Sequence, residues 1–111
     1  MLPEKTKFFK DVSIAYSIFS YKVRENINLI EEVIREIREK ELQGVKYNVH
    51  LMGENVYIHI AQFTSDEANK KFTELASFKN FKNSIKDRLE EKVLINDIEE
   101  IGSYTAPRLR T

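Results

Sequence analysis

Residues 45–63, VKYNVHLMGENVYIHIAQF, constrain the fold more than any other stretch. β-Branched and aromatic residues fill two runs on either side of Gly53-Glu54, and a two-residue connection led by glycine suits a type II′ hairpin turn. With that loop, Val49 faces Ile58 and Asn48 faces His59. Side chains alternate between the two faces of a strand. One face then collects Val45, Tyr47, Val49, Leu51, Val56, Ile58 and Ile60, a core face to be covered by helices. The other collects Lys46, Asn48, His50, Met52, Tyr57, His59, Ala61 and Phe63, and carries both histidines of the chain.

The rest of the chain supplies partners for this hairpin. Val12 to Val23 (VSIAYSIFSYKV) is β-rich, and neither parity is charged before Lys22, as expected of a central strand covered on both faces. Ile27, Ile30, Ile34 and Ile37 then recur at steps of three and four, a helical stripe. Asn26 or Asn28 is the expected N-cap, and Gly44 the expected left-handed residue at its end. Thr64-Ser65-Asp66-Glu67 is a capping signature for a second helix bearing Ala68, Phe72, Leu75 and Ala76. Ser77 is placed to cap a further segment with Phe78, Phe81, Ile85 and Leu89. Val93 to Ile101 reads as a last strand, its Asp97, Glu99 and Glu100 pointing to an exposed position.

Strand, helix, strand, strand, helix, strand is the α+β, ferredoxin-like βαββαβ plan, a four-stranded antiparallel sheet with helices on one face. The expected organisation is an N-terminal extension over 1–11 with Phe8-Phe9 as anchors, one domain over 12–104, and a tail over 105–111 carrying Arg108 and Arg110. The sheet face away from the helices has no cover from its own chain. Tyr57, Met52 and Phe63 are expected there, and a second copy packing sheet to sheet is the simplest cover, which makes the chain a homodimer.

Composition narrows the function. Lys plus Arg and Asp plus Glu both number 18, so no net basic charge is available to capture nucleic acid. The run NVYIHIAQF lacks the basic-glycine-aromatic pattern of an RNA-binding sheet. Zero cysteines exclude disulfides and thiolate chemistry. No apolar run suits a membrane span or a signal peptide, so a cytoplasmic location without membrane partner is expected. Phosphate-cradling glycine loops, the serine-hydrolase elbow and the HExxH metal motif are all missing.

Histidine is the side chain suited to moving protons near neutral pH, so His59 and His50 are the candidate catalytic groups, with Tyr57 beside them. Two histidines on neighbouring strands make an incomplete metal set, and no motif places a third ligand, so no metal and no cofactor is expected. Asn48, Tyr16, Phe72 and Phe81 are candidates for binding a substrate, as are the hydroxyls of Tyr47 and Tyr21 and the ring of Phe78. Each has a plainer reading as core or interface packing.

FSYKVREN leading into the first helix, YNVHLMGENVYIHIAQFTSDEA, LASFKNFKNSIKDRLEE and the closing IGSY together resemble the dimeric α/β-barrel proteins of the antibiotic biosynthesis monooxygenase-like superfamily. The resemblance covers about 12–104 and is one of layout and local pattern. It implies two ferredoxin-like subunits closing a barrel, each with a ligand pocket between sheet and helices. It also implies cofactor-independent oxygenation of a small aromatic or enolic substrate. A proton-transfer isomerase, or a non-catalytic homodimeric module for ligand binding or assembly, is built equally well on this scaffold. The chain has no tryptophan, so the Asn–Trp–His set of the haem-degrading branch is not available.

Overall fold

The computed structural model describes residues 11–107; Phe8-Phe9 and the tail arginines lie outside them. Strand β1 (Asp11–Ser17) leads through a 3₁₀ turn at Ser20–Lys22 into helix α1 (Val23–Glu39). The hairpin follows as β2 (Val45–Met52) and β3 (Val56–Phe63), then α2 (Asp66–Thr73), α3 (Ala76–Ser84), a 3₁₀ turn at Ile85–Asp87 and β4 (Leu94–Ile98). The sheet order is β2-β3-β1-β4 with every neighbouring pair antiparallel. This is the ferredoxin-like arrangement that the order of elements implies, with β1 inside the sheet.

The hairpin register differs from the expected one by a single residue. Met52 pairs with Val56, Val49 with His59 and Asn48 with Ile60, so the connection is Gly53-Glu54-Asn55. The third loop residue is drawn away to β1. Asn55 O accepts from Ile18 N–H (3.0 Å), and Asn55 Nδ2 donates to Ile18 O (2.6 Å). A slip of one residue turns every side chain of one strand to the other face. Val45, Tyr47 and Val49 do lie beneath the helices, but beside Tyr57, His59, Ala61 and Phe63 rather than Val56, Ile58 and Ile60. Tyr57 and Phe63 are therefore core, not exposed sheet, and the two histidines lie on opposite faces.

The core between sheet and helices joins Tyr16 and Ile18 of the first strand region to Ile30 and Val33 of α1 and to Phe72, Phe78 and Phe81. β1 stops at Ser17 rather than Val23. Phe19 and Tyr21 stack on each other outside the sheet, and Tyr21 is 79% exposed. Helix α1 starts three residues before Asn26, which is fully buried on its inner face and caps nothing. Ser65 caps α2 as its sequence signature requires, its Oγ accepting from Ala68 N–H at 3.0 Å. Ser77 lies inside α3 instead of capping it. Its backbone N–H donates to Glu36 Oε1 of α1 (2.9 Å), a cap supplied by another helix. Ser77, with Lys40 Nζ at 3.1 Å from Glu36 Oε2, holds the Glu36 carboxyl down at about 2.

The left-handed residue ending α1 is Glu41 (φ 48°), not Gly44. Leu42 N–H donates to Ile37 O and Glu41 N–H to Arg38 O, the paired bonds of a Schellman end. Gly44 serves a different need. Its φ is 73°, and a Cβ there would run into Thr64 Oγ1 at the start of α2. Glu41→Gly is expected to raise the unfolding free energy by about 0.5–1 kcal/mol in urea titration, because a side chain is strained in the left-handed region. Gly44→Ala is expected to lower it by about 1–3 kcal/mol. Equal effects at the two sites would contradict this division of roles.

Candidate functional site

His59 lies at the centre of β3, directly between Ile14 of β1 and Val49 of β2. The strand pleat turns it towards the helices, where it is 2% exposed. Both ring nitrogens are engaged. Tyr47 Oη is 2.8 Å from Nδ1, and Tyr16 Oη is 2.6 Å from Nε2. The two tyrosines come from the strands that flank β3, so the sheet itself assembles the triad. Phe81 of α3 packs against the imidazole at 5.3 Å between ring centres, and Phe72 of α2 against Tyr47 at 5.1 Å.

A polar chain continues behind Tyr16. Asn26 Nδ2 donates to Tyr16 Oη (3.1 Å), and Arg88 Nε donates to Asn26 Oδ1 (3.0 Å). Arg88 has no exposed surface. Its Nη1 donates to Ser84 O and Ser84 Oγ and lies 3.5 Å from Glu25 Oε2, and its guanidinium sits over the Phe81 ring. A buried charge needs such company, because desolvation otherwise costs several kcal/mol.

Burial sets the protonation of this group. It pushes His59 down to about 4, so the imidazole is neutral near pH 7. It also pushes the phenols of Tyr16 and Tyr47 above their usual range, with Asn26 and Arg88 pulling Tyr16 partly back. Near neutral pH the triad is therefore uncharged.

A cavity of about 140 Å³ opens beside it, walled mainly by Ile14, Tyr47, His59, Phe63, Phe72 and Phe78, with Asn69 and Thr73 of α2 also on its lining. An apolar cavity of about 150 Å³ holds one benzene ring. A larger hollow of about 540 Å³ beside Lys46, Gln62 and Glu100 is an open depression at the sheet edge, away from the histidine and tyrosines. The small cavity is the better candidate site because Tyr47 and His59 of the triad line it.

Of the sequence candidates, His59, Tyr16, Phe72 and Phe81 come together around this centre. Tyr57 stacks on Tyr16 (5.6 Å) with its hydroxyl directed to Val23 O, away from the cavity wall. His50 is exposed and Asn48 half-buried, both on the outer sheet face, so neither can act with His59. Their separation from His59 follows from the one-residue register difference, as does the loss of any two-histidine metal set. Asn26 and Arg88 escape a reading by residue type. The signal is positional: Asn26 precedes Ile30 by one turn on the apolar stripe of α1, and Arg88 follows Phe81 and Ile85 at steps of four and three. A polar residue on an apolar stripe marks a buried network.

No family model matches the sequence, and no curated protein matches it. Solved structures do match. Rv0793 from Mycobacterium tuberculosis superimposes with a TM-score of 0.71 at 11% identity, over 86% of this chain and 97% of that one. A structure described as an antibiotic biosynthesis monooxygenase gives 0.70 at 10% identity, over 85% and 100%. One from Caulobacter crescentus CB15, named as a candidate of the same class, gives 0.69 at 14% identity, over 86% and 94%. At these identities the likeness is one of fold.

The depressed His59 value has a consequence for stability. The unfolded chain takes up the His59 proton near 6.5, the folded chain only near 4. Stability is therefore expected to fall as pH drops through that window, by on the order of 3 kcal/mol at most. Denaturant titrations from pH 7 to 4 are expected to show that slope in the wild type and a flatter one in His59→Leu. A histidine resonance titrating near 6.5 in the folded protein, assigned to His59, would contradict the buried neutral state.

Proposed function

Starting from a chain with the ferredoxin-like fold of the antibiotic biosynthesis monooxygenase-like superfamily, we propose a cofactor-independent oxygenase acting on a single-ring phenolic or enolic substrate. The observation that carries this reading is the neutral Tyr47–His59–Tyr16 triad, whose Tyr47 and His59 line a cavity sized for one ring. The apolar walls would hold the ring. The Tyr47 hydroxyl would donate to the oxygen of a substrate that enters as its enolate or phenolate, having given its proton to solvent, with His59 holding Tyr47 in place from behind. Such an anion is electron-rich enough to reduce O₂ itself. For a ring methylene the balance is R₂CH₂ + O₂ → R₂C=O + H₂O, with the substrate supplying all the electrons. A low-dielectric site strengthens a donor aimed at developing charge, typically by about 10²–10³ in rate.

One observation favours a second reading. Neither nitrogen of His59 is free to face the cavity, since both are bonded to tyrosines. A module that binds a ring without transforming it fits that as well. Oxygen uptake with hydroquinone, catechol and cyclohexane-1,3-dione separates the two. Uptake with at least one of these is expected, falling about 10²-fold in Tyr47→Phe and strongly in His59→Leu. Saturable binding with no uptake would assign the binding module. Uptake unchanged in both variants would remove the triad from the reaction.

The proposed partner is a second copy of the chain. The outer sheet face carries Val56, Ile58, Ile60, Ala15 and Leu94, with His50 and Asn48 among them. These apolar side chains stand among Lys46, Gln62, Ser13 and Asn96, and the face is built from the opposite parity of β3 to the expected one. Sedimentation at micromolar concentration is expected to show a dimer, and Ile58→Lys a folded monomer with unchanged circular dichroism. A wild-type monomer throughout that range would contradict this assignment.

A further inference from the structure

The polar chain behind the cavity ends in a group that can only donate. A guanidinium has N–H donors and no acceptor. Arg88 Nε is 3.0 Å from Asn26, so Asn26 turns its carbonyl oxygen to Arg88 and its amide nitrogen to Tyr16 Oη. That amide nitrogen only donates as well. Tyr16 Oη thus accepts from Asn26, and its own O–H remains to be given. Among the described residues its other hydrogen-bond partner is His59 Nε2, at 2.6 Å. Were Nε2 protonated, two donors would converge on Tyr16 Oη and leave a phenol proton without an acceptor at 3% exposure. A buried donor left unpaired is the expensive outcome. Nε2 therefore accepts, and in a neutral imidazole the proton then sits on Nδ1. Nδ1–H donates to Tyr47 Oη at 2.8 Å. Tyr47 keeps its own O–H, which has the cavity it lines as an outlet to a ligand or a water, whereas Tyr16 is not on that wall.

We infer that Arg88 and Asn26 are positioning residues that direct every hydrogen bond of this chain towards the cavity, so that Tyr47 offers a donor there and selects a single-ring ligand bearing an acceptor oxygen, a carbonyl or an enolate. The inference rests on the reading of this cavity as the ligand site, but its test needs no turnover. Charge supports the direction: the cation lies at the far end of the chain, and oxygen-bound negative charge would be favoured at the cavity end.

One substitution should reverse the chain. In Asn26→Asp a carboxylate, which only accepts, replaces the amide, and Arg88 remains as its ion-pair partner. Tyr16 O–H would turn to the carboxylate, Nε2–H would donate to Tyr16, and Nδ1 would accept from Tyr47, taking the donor away from the cavity. Nitrogen-15 NMR of the imidazole reads this directly. The wild type is expected to show a protonated Nδ1 and a bare Nε2, and Asn26→Asp the opposite. A wild-type Nε2–H tautomer overturns the inference whether or not the variant folds, as does a folded Asn26→Asp with the wild-type tautomer. The ligand class is tested with benzaldehyde against toluene, which share a shape and differ in the acceptor. Benzaldehyde is expected to bind about three- to tenfold more tightly, and Tyr47→Phe to erase the difference. Equal affinity in the wild type, or no binding of either, overturns the assigned class, whereas failure of oxygen uptake alone overturns only the reaction.

Discussion

The buried guanidinium of Arg88 against the Asn26 amide is the interaction on which the interior depends. It ties the segment after α3 to the inner face of α1, and through Asn26 to Tyr16 on the central strand. The backbone around Arg88 is fastened to the same strand end: Phe19 N–H donates to Arg88 O, and Glu90 N–H to Ser17 O. A charge so placed is costly alone. It is tolerated because Asn26, Ser84 and Glu25 surround it and the Phe81 face lies beneath it. Such an arrangement does more than stabilise. A donor-only group at the root of a hydrogen-bonded chain leaves each later member one orientation.

The sheet divides its duties between its faces. The inner face carries the aromatic and polar centre beneath the helices, while the outer face mixes Val56, Ile58 and Ile60 with Lys46, Asn48, His50 and Gln62. Because side chains alternate, both outcomes are decided by one register, that of β2 against β3. Had the connection been Gly53-Glu54 alone, His59 would face outward beside Asn48, and isoleucines would fill the space beneath the helices. Asn55, held to Ile18 by two hydrogen bonds, is the small feature that keeps the histidine inside.

The order of strands and helices could be read from periodicity, since Ile27, Ile30, Ile34 and Ile37 can only be one face of a helix. The capping of α2 by Ser65 was equally readable, because a cap is a local event. The hairpin register was not, because its determinant lies 37 residues away at Ile18. The same holds for the cap of α3, where Glu36 acts across 41 residues. At the candidate site, His59, Tyr16, Phe72 and Phe81 were identifiable by chemistry alone, but their common location was not. Asn26 has the residue type and position of a helix cap, since asparagine near a helix start usually is one, yet it is a buried residue of the helix interior. Arg88 is masked by the charged run KDRLEEK. Only its place on the apolar stripe set it apart.

Neutron diffraction from a deuterium-exchanged crystal locates the deuterons and so reads the direction of the hydrogen-bonded chain. The expected result is a deuteron on His59 Nδ1, the Tyr16 deuteron between its Oη and His59 Nε2, and the Tyr47 deuteron turned into the cavity. A deuteron on Nε2, with Nδ1 bare towards Tyr47, would contradict it.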